Sequence, residues 1–206
     1  MATKPFGDDC ALIVVYPHNG KVKVAFHKVW RGGHQRLTPL RLAATVKPYI
    51  LGLRDHYRLA GVWFDPYQAL QLAEELRAEG VRCHEVSQTH ATRGPKDTEL
   101  WEMVCNRELV LYDDPELRSA AANASVKELG NGLIFLGKAG RGKIDLLIAL
   151  SNCANEARER HGQRIHSYSY IDDPPEPKAT TAGEIAALMQ QRYQEAEAAA
   201  QRPHRW

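Results

Sequence analysis

The fold is decided by Gly61-Val62-Trp63-Phe64-Asp65-Pro66-Tyr67-Gln68-Ala69. Val62 to Phe64 form an apolar run with the length of a buried strand, and Pro66 suits the first position of a helix, where its missing N–H costs nothing. Asp65 is therefore predicted at the carboxyl end of a strand and at the start of a helix. Two roles are open to it there: capping the helix, or delivering a carboxylate to a functional site.

A second acid, Asp145, opens the segment Lys143 to Leu150, which is otherwise apolar for a full turn. An acid in the first turn of a helix complements the helix dipole. The alternative is that Asp145 and Asp65 act together, because hard divalent cations take oxygen ligands.

These segments resemble the C-terminal nuclease domain of phage terminase large subunits, the enzymes that cut concatemeric DNA during capsid filling. The resemblance extends from about Asp8 to Asn155 and depends on the order and spacing of short pieces. The pieces are Phe64 to Ala69, Gln88-Thr89, Leu109 to Tyr112, Asp114 to Leu117, Asn123-Ala124, Lys138 and Lys143-Ile144-Asp145. The resemblance implies an α/β fold with a ribonuclease H-like mixed sheet flanked by helices, and metal-dependent endonuclease activity on double-stranded DNA.

The resemblance also implies a site that holds two Mg²⁺ or Mn²⁺ ions about 4 Å apart. Asp65 and Asp145 are the expected catalytic residues, and both are expected to bind metal. Asp8 is a third expected metal ligand, whereas we interpret its neighbour Asp9 as solvated. If the fold assembles, the carboxyl groups of Asp65 and Asp145 should approach within roughly 4–8 Å.

The N-terminus departs from the family pattern, in which a first strand carries an acid about six residues ahead of a second Asp. Asp8 to Leu12 match the second Asp and its strand, and counting back places Ala2 where the first acid would stand. Met1 to Phe6 hold too few apolar residues for the missing strand. We therefore expect an N-terminally truncated sheet with weak or no nuclease activity. The alternative is a non-catalytic module of the same fold that binds DNA or packaging proteins.

The segment Gly137 to Lys143 is a basic, Gly-rich turn between a predicted strand and a predicted helix. Lys138, Arg141 and Lys143 are predicted to contact DNA phosphates, with a solvated turn as the alternative. The segment also matches a P-loop in part, but Ile144 has no hydroxyl to hold Mg²⁺. A phosphate-binding P-loop is thus a distant alternative, and we expect no ATP site in this chain. A Holliday-junction resolvase or transposase of the same fold is a further alternative.

Composition indicates one main domain: the chain has 206 residues, 44% of them hydrophobic, and a net charge of +2. Nucleic-acid contact must then come from a local basic patch. The four scattered cysteines indicate free thiols in a reducing compartment, and the sequence contains neither an apolar span nor a signal peptide.

We expect a protein of the host-cell cytoplasm, encoded by a phage or prophage. The resemblance implies an upstream ATPase domain, the portal and the small terminase subunit as partners.

Three regions are predicted along the chain. The nuclease domain covers residues 1–162, a Pro-rich linker covers 163–180, and an amphipathic helix and tail cover 181–206. The C-terminal helix either packs back on the domain or docks on a portal or neighbouring subunit. Within the domain, the pattern predicts an Asn-Gly hairpin near Gly20, a helix from Gly94 to Asn106 and a helix from Asp114 to about Lys127.

Overall fold

A computed structural model describes residues 9–31, 42–140 and 142–167. The strands are β1 (Cys10–His18), β2 (Lys21–Trp30), β3 (Val62–Phe64), β4 (Cys83–Glu85), β5 (Leu109–Val110), β6 (Ala124–Glu128) and β7 (Ile134–Lys138). The helices are α1 (Leu42–His56), α2 (Pro66–Ala78), α3 (His90–Cys105), α4 (Pro115–Ala122) and α5 (Asp145–Ser167). Asp8, Arg141 and the C-terminal helix predicted after the linker lie outside the described residues.

The first two strands form an antiparallel hairpin, as the Asn-Gly pair predicts. Asn19 and Gly20 have φ values of 48° and 75°, which suit the two-residue turn that joins twisted strands. The pairing skips Ala25, because Val14 faces Phe26 and Val15 faces Val24. This bulge reverses the alternation of β2, so that its two halves supply different cores.

The two cores lie on opposite faces of the hairpin. Phe26 and Trp30 pack with α1 and α2 in one cluster, whereas Val22 and Val24 pack with α3 and α5 in the other. Helices therefore flank the sheet, which confirms the predicted mixed α/β architecture.

The described strands form three sheets. β5 joins the hairpin parallel to β2 in the order β1-β2-β5, β3 pairs parallel with β4, and β6 pairs antiparallel with β7. Among the described residues, β1 pairs only with β2, and β3 only with β4. Both β1 and β3 pack against α5. The N-terminally truncated sheet stays a prediction. A further strand would pair with the edge of β1 or of β3.

Two helix boundaries differ from the sequence prediction. The predicted extension of α4 to about Lys127 is wrong, because Asn123 ends the helix and Ala124–Glu128 pair with β7 instead. α3 begins at His90 rather than Gly94, since the Thr89 side chain accepts a hydrogen bond from the Thr92 N–H and caps the helix. Long-range pairing and a cap thus override the local pattern.

Three further observations concern the helices and the cysteines. α1 runs through Pro48 without interruption, and α5 continues to Ser167, so residues 163–167 of the predicted linker are helical. All four cysteines are free thiols. None of the described helices is both long and apolar enough to cross a membrane.

Candidate functional site

Asp65 lies where β3 ends and α2 begins, as its sequence position predicts. Its Oδ1 accepts a hydrogen bond from the Tyr67 N–H at 3.1 Å, and Pro66 occupies the first helical position. Asp65 therefore caps α2. Because the cap uses Oδ1, a role for Oδ2 in a metal site is compatible with it.

Asp145 is half-buried at the first position of α5. Burial raises the pKa of its carboxyl group, and the nearby Asp9 carboxylate raises it further, whereas Lys138 and Lys143 act to lower it. The pKa of the Cys10 thiol is raised to about 11, by burial first and then by the charge of Asp145. Asp145 thus lies beside the start of β1, with two lysines in electrostatic range.

Asp9 belongs to the same cluster, and the interpretation of this residue as solvated is wrong. Its side chain is only 10% exposed, and its Oδ2 lies 2.7 Å from Lys143 Nζ. Sequence reasoning overlooked Asp9 because adjacent acids ahead of a strand are usual in a polar turn. The available signal was its position directly before the apolar strand β1.

Ala139 and Gly142, in the loop between β7 and α5, lie close to the end of α4. A Cβ on Gly142 would overlap the Asn123 side chain, and the Ala139 N–H donates to Asn123 O at 2.8 Å. Asn123 itself ends α4, so this helix end supports the loop. Lys138 is exposed at the beginning of the loop, and the side chain of Lys143 is half exposed at its end.

Asp65 is in electrostatic range of Arg93 on α3. Burial lowers the pKa of Arg93 on α3, while Asp97 and, more weakly, Asp65 act to raise it. The charge of Asp65 therefore acts on the N-terminal half of α3. Sequence reasoning assigned no role to Arg93 or Asp97.

The structure thus gathers Asp9, Lys138 and Lys143 around Asp145, and places Asp65 in electrostatic range of Arg93. Residues 9–31, 42–140 and 142–167 contain no group of three or more His, Cys, Asp or Glu side chains arranged to hold a metal ion. Mg²⁺, however, is commonly held by one or two carboxylates, with waters and substrate phosphates as its other ligands. The half-buried carboxylates of Asp145 and Asp9 fit this donor chemistry.

The mixed β1-β2-β5 sheet and its flanking helices belong to a fold similar to that of phage large terminase nuclease domains. The crystal structure of the HK97 bacteriophage large terminase is similar over 76% of this chain, with a TM-score of 0.58 and 18% sequence identity. This chain spans only 40% of the length of that protein.

The large terminase nuclease from thermophilic phage G20c is similar over 72% of this chain and 82% of its own, with a TM-score of 0.52 and 17% identity. Structures of the same nuclease with bound magnesium and with bound cobalt give the same TM-score at 16% identity. No protein-family model and no curated protein sequence matches this chain. At this identity the likeness establishes the fold.

Proposed function

We propose that this chain is the nuclease domain of a phage terminase large subunit, a metal-dependent endonuclease that cuts double-stranded DNA during genome packaging. The observation that carries the proposal is Asp145, a half-buried carboxylate at a helix start with Lys138 and Lys143 beside it. Its setting is a fold shared with terminase nuclease domains, one of which was crystallised with magnesium. An acid with a raised pKa and close cations is typical of functional sites.

Asp65 and Asp145 would hold Mg²⁺ or Mn²⁺, and Asp8 would add a third carboxylate. Asp9 is a further candidate, since its side chain is only 10% exposed and its carboxylate is in electrostatic range of Asp145. When bound, such ions activate the attacking water and stabilise the leaving 3′ oxygen. The carboxylates of this chain would orient those ions, and the cap hydrogen bond on Asp65 Oδ1 would hold that side chain in place.

Lys138, Arg141 and Lys143 would contact DNA phosphates beside this site. Lys138 is exposed, and Lys143 can exchange its contact with Asp9 for a phosphate oxygen because half of its side chain already faces solvent. Phosphate contacts of this kind fix the position of the duplex without reading its sequence. An upstream ATPase domain, the portal and the small terminase subunit are the partners that this function implies, in the host-cell cytoplasm.

The second candidate is a non-catalytic module of the same fold that binds DNA or packaging proteins. The Lys143 ammonium, paired with Asp9 at 2.7 Å, favours it, because a cation in that position competes with a metal ion for the same carboxylate. The two candidates differ in whether the carboxylates bind metal.

Plasmid cleavage separates the two candidates. Purified chain is incubated with supercoiled plasmid in Mn²⁺ or Mg²⁺, beside Asp145→Ala and the control Asp113→Ala, whose side chain is 76% exposed. We expect slow nicking that Asp145→Ala abolishes and Asp113→Ala leaves unchanged. Cleavage that survives both Asp145→Ala and Asp65→Ala would contradict the proposed site.

A further inference from the structure

A buried carboxylate on α3 joins three elements. Asp97 is fully buried, and its Oδ1 accepts a hydrogen bond from Ser151 Oγ on α5 at 2.5 Å. Its Oδ2 accepts from the Leu136 N–H on β7 and from Arg93 Nη2, both at 2.9 Å. Arg93 Nη2 also donates to Leu136 O at 2.9 Å. These hydrogen bonds join α3 to β7 and α5.

The partners of Asp97 flank one loop. Leu136 precedes Lys138 by two residues on β7, and Ser151 follows Asp145 on the second turn of α5. The Asp97 carboxylate thus bonds both to β7, which precedes the loop, and to α5, which follows it. If either hydrogen bond is lost, β7 and α5 can shift relative to each other, and Lys138 and Asp145 shift with them.

Stability does not require a charged pair at this position. Burying a charged pair costs several kcal/mol per ion, and well-packed apolar residues often replace such a pair without loss of stability. The Arg93 guanidinium is also packed over the Phe135 ring, 4.2 Å from its centroid, and it is in electrostatic range of Asp65. The network is therefore bonded to α5, the helix that carries Asp145, and its Arg93 is in electrostatic range of Asp65.

We propose that Asp97 is a positioning residue: by holding β7 and α5 to one carboxylate, it sets the position of the loop and of Asp145 for metal binding. The inference rests on the proposed function, because it assigns a role towards the same site. Asp97 touches neither metal nor substrate and acts through the two flanks of the loop. Groups that hydrogen-bond directly to metal ligands change metal affinity roughly 10–100-fold when they are replaced, and we expect Asp97, which acts one step further out, to reach the low end of that range.

Three variants separate positioning from plain structural support. Asp97→Asn keeps the size of the side chain but turns an N–H group towards the donors, and Ser151→Ala removes only the link to α5. Thr98→Val is the matched control, because Thr98 Oγ1 accepts from the Ile134 N–H at 2.9 Å and so links α3 to β7. Ser151→Ala also keeps the test open if Asp97→Asn fails to fold.

Two readouts are measured well below the unfolding temperature. Mn²⁺ titration followed by electron paramagnetic resonance gives metal affinity, and hydrogen exchange of residues 139–144 without metal gives the mobility of the loop. We expect Asp97→Asn and Ser151→Ala to weaken Mn²⁺ binding at least about tenfold and to speed exchange in the loop. Thr98→Val should lose thermal stability but keep Mn²⁺ affinity within about twofold.

The outcomes are distinct. Wild-type affinity and wild-type loop exchange in both Asp97→Asn and Ser151→Ala would overturn the inference and leave the proposed function standing. An equal loss of affinity in Thr98→Val would also overturn it, since the effect would then be general destabilisation. Absence of Mn²⁺ binding by the wild-type chain would instead overturn the proposed function, and with it the role of Asp97 towards a metal.

Discussion

Individual carboxylates in this protein differ in what surrounds them. Asp65 caps a helix, Asp9 pairs with a lysine, and Asp145 is half-buried with its pKa raised. Each environment follows from contacts with residues on other elements, apart from the cap on Asp65. The position of Asp65 was therefore predictable from the apolar run Val62 to Phe64 and from Pro66, whereas no local pattern predicted the burial of Asp9.

Asp145 should make stability depend on pH in the metal-free protein. Its folded pKa is raised, so the folded state binds more protons than the unfolded state between the ordinary and the raised values. Stability then falls as pH rises through that window and stays lower above it. We expect Asp145→Asn to be more stable than wild type at pH 8 in EDTA, by less than about 1 kcal/mol because the site is partly solvated.

Urea unfolding at pH 4 and pH 8 measures this difference. The gain from Asp145→Asn should shrink towards pH 4, where the wild-type carboxyl group takes up its proton. If Asp145→Asn is less stable than wild type at pH 8, attraction to Lys138 and Lys143 outweighs the cost of burying the Asp145 carboxylate.

The basic side chains of the loop should control the salt dependence of DNA binding. Replacing Lys138, Arg141 and Lys143 with Ala should weaken binding to any duplex sequence and lower the salt slope by about 3, because each phosphate contact contributes about one unit. Fluorescence anisotropy at several salt concentrations measures the slope. Lys21→Ala, at the opposite end of the β1–β2 hairpin from Asp9, is the control. An unchanged slope in the triple variant would assign the loop to solvated surface.

The elements of the fold were predictable where local chemistry specifies them. The Asn-Gly turn, the Asp65-Pro66 helix start and the Asp145 helix all depend on neighbours within a few residues. β6 and Asp97 depend on distant partners: β6 pairs with β7, and Asp97 bonds to residues 39 and 54 positions away. No local pattern carries that information, which is why both were missed.

Gly142 should be required for the loop to approach the end of α4. An added Cβ would overlap the Asn123 side chain, so Gly142→Ala should cost about 1–3 kcal/mol. Asn123→Ala in the same chain should recover most of this loss by removing the overlapping atoms. A double-mutant cycle by chemical denaturation measures the coupling, and additive effects would contradict the predicted contact.

The edges of β1 and β3 should accept a further strand. Within the described part of the chain each of them pairs on one side only, and both pack on α5. An N-terminal extension with an apolar strand that ends in Asp should therefore raise the melting temperature and increase nuclease activity in Mn²⁺. The same extension ending in Ala should stabilise the protein without restoring activity. Robust cleavage by the chain without this extension, abolished by Asp65→Ala, would contradict the prediction and indicate that Asp8 or Asp9 supplies the further carboxylate.

At the scale of the whole molecule, the sequence and the structure lead to the same fold by different routes. Short pieces in a fixed order indicated a terminase nuclease domain, and the structure matches such domains at 16–18% identity. Activity and partners do not follow from the fold, because one fold supports many functions. The proposed nuclease activity depends on whether Asp65 and Asp145 bind the same metal site.

The most direct test of that claim is a crystal structure of this chain soaked in Mn²⁺, with the ion located by its anomalous scattering. We predict a peak coordinated by carboxylate oxygens of both Asp65 and Asp145, at about 2.0–2.4 Å from each. A structure in which these carboxyl groups lie more than about 12 Å apart, or in which Mn²⁺ binds neither, would contradict the nuclease site.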